Sequence, residues 1–546
     1  MSFSCDVHTL VNTDTGNTDT GNTDTGNTDT GNTDTGNTDT GGRPCNKAGI
    51  KELAGLAVLA LPTMLLGLDV TILYLALPAL AVELQPSSTQ ALWIMDAYGF
   101  MIAGFLITMG TLGDRVGRRR LLMIGAFAFA VASVFAAYAP NAEWLIVARA
   151  ALGIAGATLM PSTLALISNM FFDLRQRALA IGIWATMFAL GMALGPVVGG
   201  LLLAPFWWGA AFLIAVPIVI VLLLTAPLLL PEYRNPQAGR LDILSVLLLL
   251  IAILPSIYAI KAFSKAGVTP LVLATLALGI VGTLLFVRRQ KQLLDPLLDL
   301  KLFASKTFTA ALAIMLLGLV GVAGMMLLVT QYLQLVAGYT PLIAGLWMGP
   351  PALMMVLAGI LAPILARRIR PAFVIAVALI LASIGCGFLA RVDPLSVQVL
   401  QVVLGFSLVY LGLGTIAALG TDLVVGAAPA EKAGSASSMS EMVQELGVAL
   451  GVALLGSLAT LLYRVQIASA IPDEVPDDVS RALGESLWSA TSVAERLPDG
   501  ILEQAQSAFT QGMNAVAIVS GITILVLALL SVASLRHVQA VGEGEH

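Results

Sequence analysis

The apolar residues of this chain gather into fourteen runs, each long enough to cross a bilayer as a helix and each bounded by charge or by Pro and Gly. The runs lie at about 52–80, 90–112, 120–138, 143–169, 178–203 and 208–230, then 242–261 and 270–288, then 307–333, 341–366, 372–390, 396–420, 436–463 and 511–535. A helix of about 20 apolar residues spans the hydrocarbon core. The expected fold is therefore an all-α integral membrane protein with 14 transmembrane helices arranged 6+2+6. Only 11% of residues are charged and 58% are hydrophobic, against about 25% charged in soluble domains, so no large soluble domain is expected beside the membrane part.

What lies outside these runs is polar and mostly short. Residues 12–41 are six copies of NTDTG, with too little apolar surface to offset ordering entropy, and residues 1–50 read as a disordered tail. A calcium-binding repeat would need a glycine-rich nonapeptide pattern, which is missing. No signal peptide is recognisable, so targeting falls to the first span. Cys5, Cys45 and Cys386 have no metal-type spacing, and no structural disulfide is expected.

The net charge of -5 matters less than its distribution, because Lys and Arg in short loops stay cytoplasmic. Placing both termini inside puts Arg115, Arg118, Arg119, Arg120, Arg175, Arg177, Arg234, Arg240, Arg288, Arg289, Lys291, Arg367, Arg368 and Arg370 in cytoplasmic loops. Only Lys261, Lys265 and Arg391 fall in the opposing short loops, and Trp93, Trp144, Trp207 and Trp208 fall near outer helix ends as an aromatic belt. The one long loop, 464–510, carries an excess of acids. Val479, Leu483 and Leu487 recur there at helical spacing, which reads as a short amphipathic hairpin forming either a solvated acidic cap or a gate.

Charge inside the spans points to function, since an Asp at the bilayer centre costs about 2.5–3.5 kcal/mol. The intramembrane acids are Asp69, midway along the first run, Asp96, Glu441 and Glu445. Asp69 reads as an unpaired carboxylate, able to hold either a proton or a lipophilic cation. Asp96 lies near the outer end of its helix and is read as a substrate contact or a hydrated vestibule group. Glu441 and Glu445, at i, i+4, share one face, where paired carboxylates retain a proton unless they lie too near the cytoplasm to matter. Arg149 needs a partner or a wet cavity unless it snorkels outward. Met95, Met101, Met325, Met326, Met354 and Met355 suggest a broad, adaptable cavity, and Tyr98, Trp184 and Trp347 offer cation–π faces, although such residues also serve as plain packing.

Three motifs carry a resemblance. "GTLGDRVGRRR", Gly110 to Arg120, combines Gly110, Gly113 and Gly117 with Asp114, Arg115 and Arg118, and resembles the signature loop of the major facilitator superfamily. "RAALGIAGATLMP" from Arg149 is similar to that superfamily's fourth-helix motif, whose Arg is associated with proton coupling. "GMALGPVVGG", with Gly191, Gly195, Pro196, Gly199 and Gly200, looks like the antiporter motif of its proton-driven exporters. With "LDVTILYLALP" in the first helix, where Tyr74 stands for the usual Asn, the chain resembles the fourteen-helix drug:proton antiporter family, near its quaternary ammonium and methyl viologen exporters.

The resemblance implies a major facilitator fold with six-helix bundles at 51–235 and 305–540, two inserted helices at 236–295, and alternating access by rocking. It implies export of lipophilic cationic drugs in exchange for protons by a bacterial inner-membrane monomer. Proton coupling would fall to Asp69, Arg149, Glu441 and Glu445, substrate contact to Asp69, Asp96, Tyr98, Trp184, Trp347 and Met355, and a conformational latch to the loop of Asp114 and Arg118. No cofactor, metal or nucleic-acid partner is expected. An uptake symporter of the same fold is the alternative, against which the Gly191–Gly200 motif and the excess of acids over Arg149 speak. A sensor or scaffold would need a folded output domain. Enzyme chemistry finds no support, because His8, His537 and His546 all lie in the tails, and no GxxxxGK loop offers an ATP site. Deletion of residues 2–42 should change neither membrane insertion nor transport, measured at matched expression in cells, because a polar disordered repeat makes no packed contacts.

Overall fold

The computed structural model describes residues 49–171, 174–234, 242–293, 296, 298, 300–428, 433–468 and 475–539. The NTDTG tract, Cys5, Cys45, Arg240 and residues 469–474 of the long loop lie outside them. Fourteen helices long and apolar enough to cross a membrane occur among the described residues. They are built from α1 (Ile50–Leu84), α2 (Ser88–Val116), α3 (Arg118–Ala137), α4 (Ala142–Met170), α5 (Leu174–Leu203), α6 (Ala210–Leu213), α7 (Ala215–Leu229), α8 (Ile243–Ala266), α9 (Pro270–Gln292), α10 (Lys306–Gln331), α11 (Pro341–Trp347), α12 (Gly349–Ala366), α13 (Pro371–Leu389), α14 (Val399–Gly426), α15 (Ala433–Ala468) and α18 (Ile501–Leu535). Two short helices, α16 (Asp477–Glu485) and α17 (Leu487–Ser492), precede α18. The sixth span joins α6 to α7 and the tenth joins α11 to α12.

Local chemistry sets the boundaries. Ser87 and Gln90 cap α2 reciprocally, each side chain accepting the other's backbone N–H at 3.2 and 2.9 Å. Thr269 and Thr340 cap α9 and α11, each of which begins with Pro. The α2–α3 turn passes through Gly117 at φ 115°, a conformation that L side chains rarely adopt.

Packing divides the long helices. α1 lies on α5, α2 on α4, and α3 on α4 and α7; α10 lies on α15 and α18, α13 on α14 and α18, and α12 on α14. The two sets meet where α2 crosses α15, where α5 crosses α11 and α12, and where α1 touches α10. α8 packs against α9, α2 and α15, while α9 leaves Leu271, Leu273, Leu278, Ile280, Val281 and Leu284 exposed. A face this apolar suits lipid.

Two surface expectations need correction. Lys261 is not in a loop; it belongs to α8 and is fully buried. Trp144 and Trp207 are exposed, as a belt requires, but Trp208 is buried with its indole N–H on Glu83 at 2.7 Å, and Trp93 is half-buried. The long loop does form helices. Val479, Leu483 and Leu487 are buried, Tyr463 donates to the Leu483 carbonyl at 2.8 Å, and Glu485 accepts the Ser88 N–H at 3.2 Å. α16 and α17 thus cover the end of the bundle where α2 starts, opposite the α2–α3 turn.

The glycines of α5 explain the α1–α5 contact. A Cβ at Gly191 would strike the Met64 carbonyl, and one at Gly195 would strike Thr71 Oγ1. At Gly199 it would stand 2.8 Å from Ile72 Cγ1, and at Gly200 2.7 Å from the Pro341 carbonyl on α11. Small residues at this spacing let backbones approach. Gly195→Val should therefore lower the detergent-solubilised protein's melting temperature, at a cost of about 1–3 kcal/mol for overpacking. Gly182→Ala, on the same helix with open space around it, should leave it unchanged.

Candidate functional site

Four carboxylates and two cations are buried in the bundle, Asp69 on α1, Asp96 on α2, Arg149 on α4, Lys261 on α8, and Glu441 and Glu445 on α15. Asp69 is not the bare carboxylate expected from sequence. Its Oδ2 lies 2.7 Å from Arg149 Nη1, with the two side chains only 7% and 2% exposed. Arg149 does not snorkel: its Nε also donates to the Ile94 carbonyl at 3.1 Å, and its guanidinium lies 4.5 Å from the centre of the Tyr98 ring. Two apolar helices place these groups at one depth, and charge in a low-dielectric interior is tolerable only when paired and hydrogen-bonded.

Asp96 is not a vestibule group either. It is 1% exposed, with its carboxylate 2.7 Å from Lys261 Nζ on α8. The sequence reading missed Lys261 because it ends an apolar run and Lys265 follows. The signal was available in Ala262 and Phe263, which continue the helix beyond it.

Glu441 and Glu445 are buried on α15, 9% and 5% exposed, and neither forms an ion pair with any described residue. They are not too close to the bundle's end to be enclosed. Gly99 of α2 sits against the Glu445 backbone, where a Cβ would stand 3.5 Å from its carbonyl. Among the described residues these four acids are thus two compensated carboxylates and two without a cation.

The other substrate-contact candidates do not gather around this set. Tyr98 is beneath Arg149, but Trp184 donates its indole N–H to Thr163 at 2.9 Å, joining α5 to α4. Trp347 is half-buried on α11, and Met355 is buried where α12 crosses α14. No described ion pair, hydrogen bond or ring contact links these three to Asp69 or Asp96. Of the methionines expected to line a broad cavity, Met326 borders a small one. A cavity of about 50 Å³ lies under α16 and α17, lined by Leu77, Leu92, Tyr463 and Trp488. Another of about 20 Å³ is lined by Thr71, Tyr74, Met192, Met326 and Tyr410. Drug-sized ligands need roughly 300 Å³ or more, and neither of these two cavities is that large.

At the opposite end, the signature loop is a charge lattice. Arg118 pairs with Asp114 at 2.7 Å and donates to the Pro161 carbonyl of α4 at 3.3 Å. Glu232, just after α7, was not foreseen. It accepts the Arg119 N–H at 3.1 Å, lies 3.7 and 3.8 Å from the Arg119 and Arg120 side chains, and sits where a Cβ on Gly117 would stand. Gly113 leaves room for Arg118, with a Cβ there 3.0 Å from Arg118 Cδ; Gly110 has ordinary clearance, and Arg115 is exposed. The lattice welds α2, α3, α4 and the end of α7.

The Major Facilitator Superfamily profile matches residues 59–452. The chain belongs to the Major Facilitator Superfamily. This is a transporter family, not an enzyme family, and the chain is a multi-pass membrane protein of it. It is 41% identical over 477 residues to the multidrug efflux pump LfrA of Mycolicibacterium smegmatis, covering 87% of this chain and 94% of that one. It is 33% identical to the methyl viologen resistance protein SmvA of Salmonella typhimurium, covering 87% and 96%. A crystal structure of a bacterial homologue of the human lysosomal transporter Spinster, inward-facing and unoccupied, superposes with a TM-score of 0.64 at 16% identity, covering 90% of this chain and 98% of that one. That likeness shows the fold, here with 14 candidate spans among the described residues.

Because Arg149 has Asp69 as its one described ion-pair partner, Asp69→Asn should leave a buried cation uncompensated and destabilise the protein by about 3–5 kcal/mol. Asp69→Asn combined with Arg149→Met should recover most of that loss, as read from solubilised yield and thermal melts. An Asp69→Asn melt equal to wild type would mean the pair carries no stability.

Proposed function

We propose that this protein exports lipophilic cations in exchange for protons. Two six-helix bundles, 51–235 and 305–540, would rock about the buried charges, with both termini in the cytoplasm and α16–α17 on the outer side. The observation that carries this reading is the uncompensated pair Glu441 and Glu445, enclosed on α15 beside a set whose other carboxylates are already matched by cations. A carboxylate in an apolar site is stable when protonated and becomes a counter-charge for an organic cation when ionised. Proton and drug then compete for the same acids, and that competition is the coupling.

The paired groups have a different part. Asp69 is held by Arg149 in the closed bundle, so its carboxylate becomes available only by exchanging that partner, which ties its availability to the conformational cycle. The Gly191–Gly200 face and the Asp114, Arg118 and Glu232 lattice keep the first bundle stiff enough to move as one body. The names of LfrA and SmvA support export of drugs, and methyl viologen is a dication. A membrane potential of 100 mV supplies about 2.3 kcal/mol per charge moved, enough for a tens-fold gradient.

Everted vesicles challenged with ethidium under an imposed pH gradient, acid inside, should accumulate the dye and lose protons in step. Glu441→Gln with Glu445→Gln should abolish that exchange while leaving the fold intact. Dye accumulation that ignores the pH gradient in wild type would refute proton coupling. Asp114→Asn and Glu232→Gln should each lower turnover for every cationic substrate by a similar factor; loss confined to one dye would instead place the loop in recognition.

A further inference from the structure

The inserted helices α8 and α9 look at first like lipid-facing additions, since α9 exposes most of its leucines. α8 is different. It packs on both α2 and α15, one from each of the helix sets that meet at the centre. It is also held at a fixed height. Arg289 of α9 pairs with Asp242 at the start of α8 at 2.8 Å, and Gly279 of α9 is packed against Ser256 of α8. This anchoring delivers Lys261 into the protein interior.

There the ammonium meets two groups of α2. Its Nζ is 2.7 Å from Asp96 Oδ2 and 4.2 Å from the centre of the Trp93 ring, with Lys261 0% and Asp96 1% exposed at the side chain. Neither oxygen of Asp96 receives a hydrogen bond from another described group, so Lys261 is what compensates its charge. A carboxylate and an indole face, one turn apart on a buried helix, are what an organic cation needs: a counter-charge and a π surface in a water-poor site.

We propose that Asp96 and Trp93 form a second organic-cation site, and that Lys261 is its resident, tethered cation, displaced by the transported cation during the cycle. The inserted pair is then a working part of the transporter. With Lys261 seated, the site is closed and electrically neutral. When α2 and α15 move apart, α8 loses one of its two supports in the central bundle, the ammonium withdraws, and the carboxylate and indole are open to a cation from the cavity. Lys261 thus competes with substrate and prevents Asp96 from standing as a buried unpaired charge between cycles. This rests on the reading that the protein handles lipophilic cations.

The test is equilibrium binding of ethidium to the purified full-length protein in lipid nanodiscs, with melting temperature recorded for each variant. A site open only in a minority of molecules has its apparent affinity reduced by that fraction, so removing the competitor in Lys261→Met should tighten ethidium by about tenfold. Asp96→Asn with Lys261→Met removes the carboxylate as well; it buries no charge and keeps the side-chain volumes, and it should bind several-fold more weakly than wild type. A purely structural ion pair would move both variants in the same direction, with stability. Wild-type affinity in a folded Lys261→Met protein overturns the proposal. Should Lys261→Met not fold, the double variant decides alone, and wild-type affinity in it overturns the proposal equally. In both cases wild-type binding of ethidium stands, and the export reading with it. Absence of binding in wild type and in every variant overturns the cation reading itself, and this site falls with it.

Discussion

The Asp69–Arg149 pair sets the terms for the rest of the molecule. Two full charges enclosed among apolar helices are tolerable because they lie 2.7 Å apart and the guanidinium also reaches a carbonyl and an aromatic face. The pair therefore fixes α1, α2 and α4 at one depth relative to one another. Any slip of a helix along its axis would separate charges that have no water to turn to. The glycines of α5 belong to the same solution, because α1 can hold Asp69 at that place only if α5 lets its backbone approach.

Around this pair the chain buries its carboxylates in two ways. Asp69 and Asp96 are neutralised by cations from other helices, which binds distant segments together. Glu441 and Glu445 are buried with no such cation among the described residues. In the proposed transport cycle, groups that are matched hold the structure, and groups that are not exchange a proton. The division of labour proposed for transport follows from that contrast.

The charge lattice around Gly117 is the counterpart at the other end of α2. Glu232 meets two consecutive residues after the turn, accepting the N–H of Arg119 and lying near the side chains of Arg119 and Arg120, so the segment after α7 is tied back to the start of α3. Each such exposed pair is weak alone. Together with the Arg118 contacts to Asp114 and Pro161, they make a stiff corner rather than a hinge.

The sequence by itself determined the spans. A run of about 20 apolar residues has one stable backbone in hydrocarbon, so fourteen runs become fourteen helices whatever their neighbours do. It also marked the short-range devices, the Gly117 turn and the small-residue face of α5, because each depends on residues within a few turns. The sequence equally showed Asp69, Asp96, Arg149, Glu441 and Glu445 as charges inside the membrane, but neither Lys261 nor what each charge faces. Asp69 reads as bare in one dimension and is paired in three; Lys261 reads as a loop lysine and is buried against Asp96. Those outcomes depend on which faces of α1 and α4, or of α2 and α8, turn toward each other. A helix that is apolar nearly all round carries no periodic signal to say so, and only tertiary packing makes that choice.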